Sequence, residues 1–126
     1  MTATFEQAPV RYRRRMSDDL TDPRVVHERL ADVQIVDVRE KPEWDAGRIE
    51  GSLHIPLSEL MAGRLESLDP SRPVVAVCRT GNRSEVAALM LRARGFEAHN
   101  MAGGTEAWVG AGFPFTTPDG SPGRVA

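Results

Sequence analysis

Short apolar runs along the chain alternate with longer stretches in which apolar and polar residues are mixed. The most continuous run, at 73–77, is typical of a central strand that is buried on both faces. A compact run at 35–38 predicts a second strand, and extended stretches are expected at 53–55 and 96–101. Because helical patterns separate these strands, the sequence predicts an α/β fold with a mostly parallel sheet that helices cover on both faces.

The helical patterns occur at five places. The clearest helix is expected to begin at Ser84, with an acidic residue in its first turn, and to end at Gly95. The other four are expected after a cap at Thr21 or Asp22, over 42–46, over 58–68 and over 105–109. Trp44 and Trp108 lie in two of the short helices, and we expect them to pack in the core and the lid of the fold, with a role as binding platforms as the alternative.

Length and composition indicate one packed core. The chain has 126 residues, of which 40% are hydrophobic, and this is enough to fold without disulfide bonds. Sixteen basic and eighteen acidic residues give a net charge of −2, which argues against general nucleic-acid binding. No apolar run approaches the roughly 20 residues of a membrane span, and the first residues lack the apolar core of a signal peptide. We therefore expect a cytoplasmic protein that binds neither nucleic acid nor membrane.

The two ends of the chain differ from the rest. Residues 1–16 are expected to form an N-terminal extension, and four arginines lie there within five positions, Arg11, Arg13, Arg14 and Arg15. Such a cluster is typical either of a nucleic-acid-binding arm or of a solvated segment that pairs with the acidic body, and the overall composition favours the second. Proline and glycine crowd the other end, so residues 116–126 are expected to be a flexible tail. Residues 17–115 remain as a single domain.

The only cysteine, Cys78, directly follows the most apolar predicted strand. The segment 78–84 then connects that strand to the clearest helix, and ligands of open parallel sheets bind outside the carboxyl ends of the strands. A loop at this position directs backbone N–H groups and the positive end of a helix dipole inward, which favours an anion. The candidate binding residues are therefore Arg79, Thr80, Gly81, Asn82, Arg83 and Ser84.

Two interpretations of Cys78 follow from this position. A thiol inside such a loop would have a lowered pKa and would act as a nucleophile towards an anionic substrate. Arg79 and Arg83 add two positive charges that can bind an oxyanion, and Gly81 supplies the backbone freedom for a tight turn. The alternative is a small buried side chain at the end of a strand. The polar and glycine residues around Cys78 favour the nucleophile.

The sequence resembles a rhodanese-like domain over about residues 20–114. The first half of the resemblance is carried by Ile35-Val36-Asp37-Val38-Arg39-Glu40, Glu43, Gly47-Arg48-Ile49, Gly51 and His54-Ile55-Pro56-Leu57. The second half is carried by Cys78, Gly81, Arg83-Ser84, Gly95-Phe96, Gly103-Gly104, Trp108 and Gly112. One departure is Arg48, which stands where the family often has histidine, at a position that we interpret as structural.

The resemblance implies a rhodanese-like fold with a central five-stranded parallel sheet, and sulfurtransferase chemistry without metal or cofactor. In the family, a cysteine takes a sulfane sulfur from a small anionic donor such as thiosulfate and holds it as a persulfide. It then passes the sulfur to cyanide, a thiol or a partner protein. Carried over to this chain, Cys78 is the nucleophile, and the backbone amides from Arg79 to Ser84 hold the persulfide. Asp37 and Arg39 are interpreted as supporting residues behind the site, with substrate contact by Arg39 as the alternative.

Other functions are compatible with the same fold. Related phosphatases have a C-x5-R loop, whereas Cys78 and Arg83 form the shorter C-x4-R, which suits a sulfur atom better than a phosphate. Arsenate reduction is a further enzymatic alternative. A non-catalytic interaction module would be expected to lack the cysteine, which this chain retains, although sulfur delivery to a partner protein would combine both roles. Because the chain has no second cysteine, a persulfide on Cys78 needs an external acceptor.

Overall fold

The computed structural model describes residues 19–126, so the arginine-rich segment at 1–16 lies outside the described residues. The helices of the described part are α1 (Pro23–Glu28), α2 (Lys41–Ala46), α3 (Leu57–Met61), α4 (Asn82–Ala93) and α5 (Gly104–Gly110), with a short 3-10 helix at Leu30–Asp32. The strands are β1 (Gln34–Asp37), β2 (Leu53–His54), β3 (Val74–Val77) and β4 (Ala98–Asn100). All strand pairs are parallel and the order is β2-β1-β3-β4. The predicted α/β class is confirmed.

The sheet in the described residues has four strands, whereas the resemblance implied five. Residues 19–22 do not extend the sheet, because they form the turn that leads into α1, where the Asp22 carboxylate accepts a hydrogen bond from the Arg24 amide at 2.9 Å. The chain after α5 contributes only isolated bridges between Arg48, Thr116 and Pro122. Neither segment therefore supplies a fifth strand.

Strand β3 is buried on both faces, as its apolar run predicts. Val74 and Ala76 face a core layer beneath α3 and α4, whereas Val75 and Val77 face a second layer beneath α1 and α5. β3 also lies between β1 and β4, so its carboxyl end is surrounded by the ends of both neighbours. The residue that follows, Cys78, is consequently held at the centre of this edge of the sheet.

Two helices differ from their predicted bounds, and glycine explains both. α3 ends at Met61 and does not continue to residue 68, because Gly63 adopts a φ of +88° that is incompatible with a continued helix. α4 begins at Asn82, two residues before the predicted start, with Gly81 in a left-handed conformation before it. The helix N-terminus therefore comes closer to Cys78 than the sequence suggested.

Residues 116–126 contain no helix or strand, but backbone hydrogen bonds fasten them to the domain. Arg48 and Thr116 exchange two bonds of 2.9 and 3.0 Å, and the Arg124 amide donates to the Ala46 carbonyl at 2.9 Å. Gly47 permits this approach, because a Cβ there would collide with Phe115 and with the backbone of Arg124. The flexibility of this segment stays a prediction. No helix within residues 19–126 is long and apolar enough to cross a membrane.

Candidate active site

The backbone of Cys78 is held by the N-terminus of α5. The Thr105 amide donates to the Cys78 carbonyl at 2.8 Å, and the Glu106 amide donates to the Arg79 carbonyl at 3.1 Å. Gly104 makes this packing possible, because a Cβ at that position would collide with both carbonyl groups. Cys78 is only 1% exposed, and contacts with the strand, the loop and α5 together hold its position.

The Cys78 sulfur lies in a set of hydrogen-bond donors. Its Sγ accepts from the Gly81 amide at 3.1 Å, from the Ser84 amide at 3.4 Å and from the Ser84 hydroxyl at 3.2 Å. Gly81 has a φ of +108°, which brings its own amide and the start of α4 towards the sulfur. The loop therefore has the inward-facing donors that its sequence predicts.

These donors favour the ionised form of the sulfur. Burial raises the pKa of the Cys78 thiol, but hydrogen bonds from the Ser84 hydroxyl and from the amides of Ser84, Gly81 and Thr80 lower it by more. The net result is a pKa below the ordinary value for cysteine. A thiolate is the nucleophilic form of cysteine, so the arrangement is suited to nucleophilic chemistry at Sγ.

Arg83 forms an ion pair with Glu43. Its Nη1 and Nη2 donate to the two carboxylate oxygens of Glu43 on α2, at 2.8 and 2.9 Å. The Arg83 guanidinium lowers the pKa of Glu43, and the same pair raises the pKa of Arg83, so both groups remain charged over a wide pH range. This ion pair fastens α2 to the active-site loop.

Arg79 is paired in a similar way at the surface. Its Nε donates to the Glu106 carboxylate at 2.8 Å, and both side chains are about half exposed. The two positive charges of the loop are thus each matched by a carboxylate from a different helix. Thr80 and Asn82 are exposed, and Thr80 turns its amide towards Sγ. Substrate binding by the six residues at 79–84 stays a prediction.

Asp37 and Arg39 form a fully buried ion pair behind the loop. Arg39 Nε and Nη2 donate to the two Asp37 oxygens at 2.9 and 2.8 Å, and Nη2 also donates to the Gly47 carbonyl at 2.6 Å. Neither side chain has any exposed surface. The geometry supports the interpretation that this pair is structural, because its bonds join the end of β1 to the turn after α2.

The sequence profile of the rhodanese-like domain matches residues 22–111 of this chain. The chain belongs to this family. It is 34% identical over 103 residues to a sulfurtransferase of Allochromatium vinosum, which covers 79% of this chain and 95% of the relative. It is 35% identical over 75 residues to the thiosulfate sulfurtransferase GlpE of Pseudomonas fluorescens, which covers 59% of this chain and 68% of that protein.

A solved structure gives the same result for the fold. The crystal structure of a rhodanese-related protein from Thermoplasma volcanium superposes with a TM-score of 0.72 at 29% sequence identity. The superposition covers 75% of this chain and 94% of that one. The rhodanese-like fold expected from the resemblance is therefore confirmed.

Two residues beside the Cys78 loop had no predicted role. Asn100 accepts a hydrogen bond from the Ser84 hydroxyl at 2.5 Å, and Glu43 holds Arg83. A signal for Asn100 was present, because it lies at the end of a predicted strand and the ends of neighbouring parallel strands meet at one edge of the sheet. The sequence contains no comparable signal for the pairing of Glu43 with Arg83.

The two tryptophans of the rhodanese-like domain have different surroundings. Trp108 is 1% exposed and lies in the core, as predicted. Trp44 is less buried than the prediction that it faces the core implies, since this side chain is only partly buried. Its ring stacks on His54 at 4.7 Å, and the Arg48 guanidinium lies 4.1 Å from the ring centroid. Trp44 thus packs between two polar side chains.

Proposed function

We propose that this rhodanese-like domain is a sulfurtransferase in which Cys78 carries a sulfane sulfur as a persulfide. The observation that carries the proposal is the buried sulfur that accepts hydrogen bonds from two backbone amides and the Ser84 hydroxyl. The similarity to a sulfurtransferase and to a thiosulfate sulfurtransferase supports the same chemistry. The donor is a small sulfur anion such as thiosulfate, and the acceptor is cyanide, a thiol or a partner protein.

In the loading step, the Cys78 thiolate attacks the outer sulfur of thiosulfate. A bond forms between Sγ and that sulfur, while the sulfur–sulfur bond of thiosulfate breaks. The electron pair of the broken bond leaves with sulfite, and the negative charge of the protein moves to the outer sulfur of the persulfide. The amides at the start of α4 are placed to stabilise both the attacking thiolate and the transferred sulfur.

In the unloading step, the acceptor attacks the outer sulfur and the Cys78 thiolate leaves. Cyanide becomes thiocyanate in this step, and a thiolate becomes a persulfide. The lowered pKa of Cys78 makes it a better leaving group, so the same donors assist both halves of the cycle. Because Cys78 is the only cysteine of the sequence, no second thiol of this chain competes with the acceptor.

The loop arginines serve to attract and orient the anionic donor. Glu43 accepts two of the five N–H groups of Arg83, so this ion pair does not exhaust the hydrogen-bonding capacity of the guanidinium. Arg79 lies at the surface, where its contribution is mainly long-range attraction. We place this reaction in the cytoplasm, where a reduced thiol is the usual state.

The test is the intact mass of the protein after incubation with thiosulfate. We expect an increase of about 32 Da, the mass of one sulfur atom, that a reducing thiol removes. The matched control is Cys78→Ser, which keeps the size of the side chain and is expected to show no increase. The proposal is overturned by the absence of the adduct, or by an adduct that persists in Cys78→Ser. Hydrolysis of a phosphate ester without an adduct would support the phosphatase alternative.

A further inference from the structure

The hydroxyl group of Ser84 faces two acceptors. Ser84 Oγ lies 3.2 Å from Cys78 Sγ and 2.5 Å from Asn100 Oδ1. A serine hydroxyl has a single proton to donate, so it cannot form both hydrogen bonds at the same time. Cys78 Sγ and Asn100 Oδ1 therefore compete for one hydrogen bond.

The amide of Asn100 is oriented by the partners of its nitrogen. Asn100 Nδ2 donates to the Gly81 carbonyl at 2.9 Å and to the Glu85 carboxylate at 3.0 Å. Both partners can only accept hydrogen bonds, so the nitrogen faces them and the oxygen faces Ser84. Asn100 therefore offers Ser84 an acceptor and not a donor.

We propose that Asn100 is a positioning residue that controls the ionisation of Cys78 by competing with Sγ for the Ser84 proton. While the sulfur is a neutral thiol, the hydroxyl donates to Asn100. When the sulfur becomes a thiolate, the hydroxyl turns to the sulfur, and Asn100 Oδ1 loses its donor. The lost hydrogen bond opposes ionisation, so Asn100 limits the amount of thiolate that the loop amides would otherwise produce.

The persulfide changes this balance again. Its negative charge lies on the outer sulfur, so Sγ is a weaker acceptor than in the thiolate, and the Ser84 hydroxyl again donates its hydrogen bond to Asn100. Asn100 thereby favours the loaded protein over the free thiolate. This consequence rests on the proposed function, whereas the competition for the Ser84 proton does not.

The charged groups on the loop and on the elements packed against it are the same in the wild-type protein and in the variant that tests this proposal. They are Arg83 with Glu43 from α2, Arg79 with Glu106 from α5, and Glu85 on α4, with the buried Asp37–Arg39 pair behind the loop. Asn100→Leu changes none of these charges and replaces the amide by an apolar group of nearly the same size. Because Asn100→Leu also removes the bonds from Nδ2 to Gly81 and Glu85, the part of the shift in the Cys78 titration that requires the Ser84 hydroxyl reports the competition.

The experiment measures the rate of Cys78 alkylation by iodoacetamide against pH. In Asn100→Leu, we expect the midpoint of the profile to fall by about 0.5 to 1 pH unit, the equivalent of one hydrogen bond. Ser84→Ala removes the donor itself, so its midpoint should rise. In the double variant, Asn100→Leu should add no further shift, because it acts only through the Ser84 hydroxyl.

Two results overturn the proposal. One is an unchanged midpoint in Asn100→Leu, and the other is an equal downward shift in the presence and absence of the Ser84 hydroxyl. If circular dichroism shows that Asn100→Leu is unfolded, Asn100→Ser replaces it with the same expectations, because its shorter side chain cannot reach Ser84. Failure of the mass test with thiosulfate, combined with the expected alkylation profiles, would overturn the proposed function and leave the role of Asn100 intact.

Discussion

Glu43 and Arg83 are separated by 40 positions in the sequence, yet they form a two-point ion pair beside the Cys78 loop. The pair has two opposite effects on an anionic donor. It holds the Arg83 guanidinium in place, and it also neutralises the positive charge that would attract the donor. The side chain of Arg83 is 35% exposed and that of Glu43 is 18% exposed, so solvent screens this attraction only in part.

Neutralising Glu43 should strengthen the binding of thiosulfate. In Glu43→Gln, Arg83 keeps a hydrogen-bond partner and regains an uncompensated positive charge. We expect KM for thiosulfate to fall about two- to five-fold, which corresponds to about 0.5 to 1 kcal/mol for a partly exposed charge. Steady-state kinetics with separate values of kcat and KM provide the measurement. Arg83→Ala is the opposite control and should raise KM, and a higher KM in Glu43→Gln would contradict the electrostatic explanation.

The reactivity of Cys78 should persist to lower pH than that of an ordinary cysteine. The folded-state pKa is lowered, so alkylation by iodoacetamide should reach its plateau at a lower pH than alkylation of the unfolded chain. The same shift contributes stability that is fully present above the unfolded pKa and is lost as the pH falls through the folded pKa. Identical profiles for the folded protein and the protein in denaturant would contradict this prediction.

Breaking the buried pair of Asp37 and Arg39 should destabilise the fold strongly. Asp37→Asn leaves the Arg39 charge buried without its counter-ion, and we expect a loss of about 3 to 5 kcal/mol in the free energy of unfolding. Denaturant titration measures this loss. The control is Arg24→Ala, which breaks the exposed pair of Arg24 and Asp22 and should cost less than about 1 kcal/mol. Similar losses in the two variants would contradict a structural role for the buried pair.

Adding one methyl group to Gly104 should displace the loop that carries Cys78. Gly104 has a φ of +61°, and a Cβ would collide with the carbonyl groups of Cys78 and Arg79. We expect Gly104→Ala to lower the melting temperature and to slow alkylation of Cys78, because the loop must move. Gly110→Ala in the same helix is a matched control, since a Cβ there meets no atom within 4 Å. An equal loss in both variants would contradict the collision, because alanine at position 110 meets no atom within 4 Å and has a higher helix propensity than glycine.

The sequence predicted those parts of the site that depend on residues close together in the chain. The apolar run of β3, the glycine turn at Gly81 and the helix that follows place Cys78 among backbone donors, and all of them lie within about twenty residues. The roles of Asn100 and Glu43 depend on which elements are neighbours in three dimensions. α3 was predicted too long because its apolar spacing continues beyond Gly63, whereas the backbone conformation of that glycine ends the helix.

The hydrogen bonds from α5 to the carbonyl groups of Cys78 and Arg79 reduce the free energy that the loop needs for rearrangement during sulfur transfer. The loop that surrounds the sulfur is fixed from outside the site, so it does not rely on a bound substrate for its shape. A preorganised set of amides spends little free energy on rearrangement when charge moves from one sulfur to the next. The amides of Thr105 and Glu106 should therefore exchange with deuterium equally slowly in the free and sulfur-loaded protein.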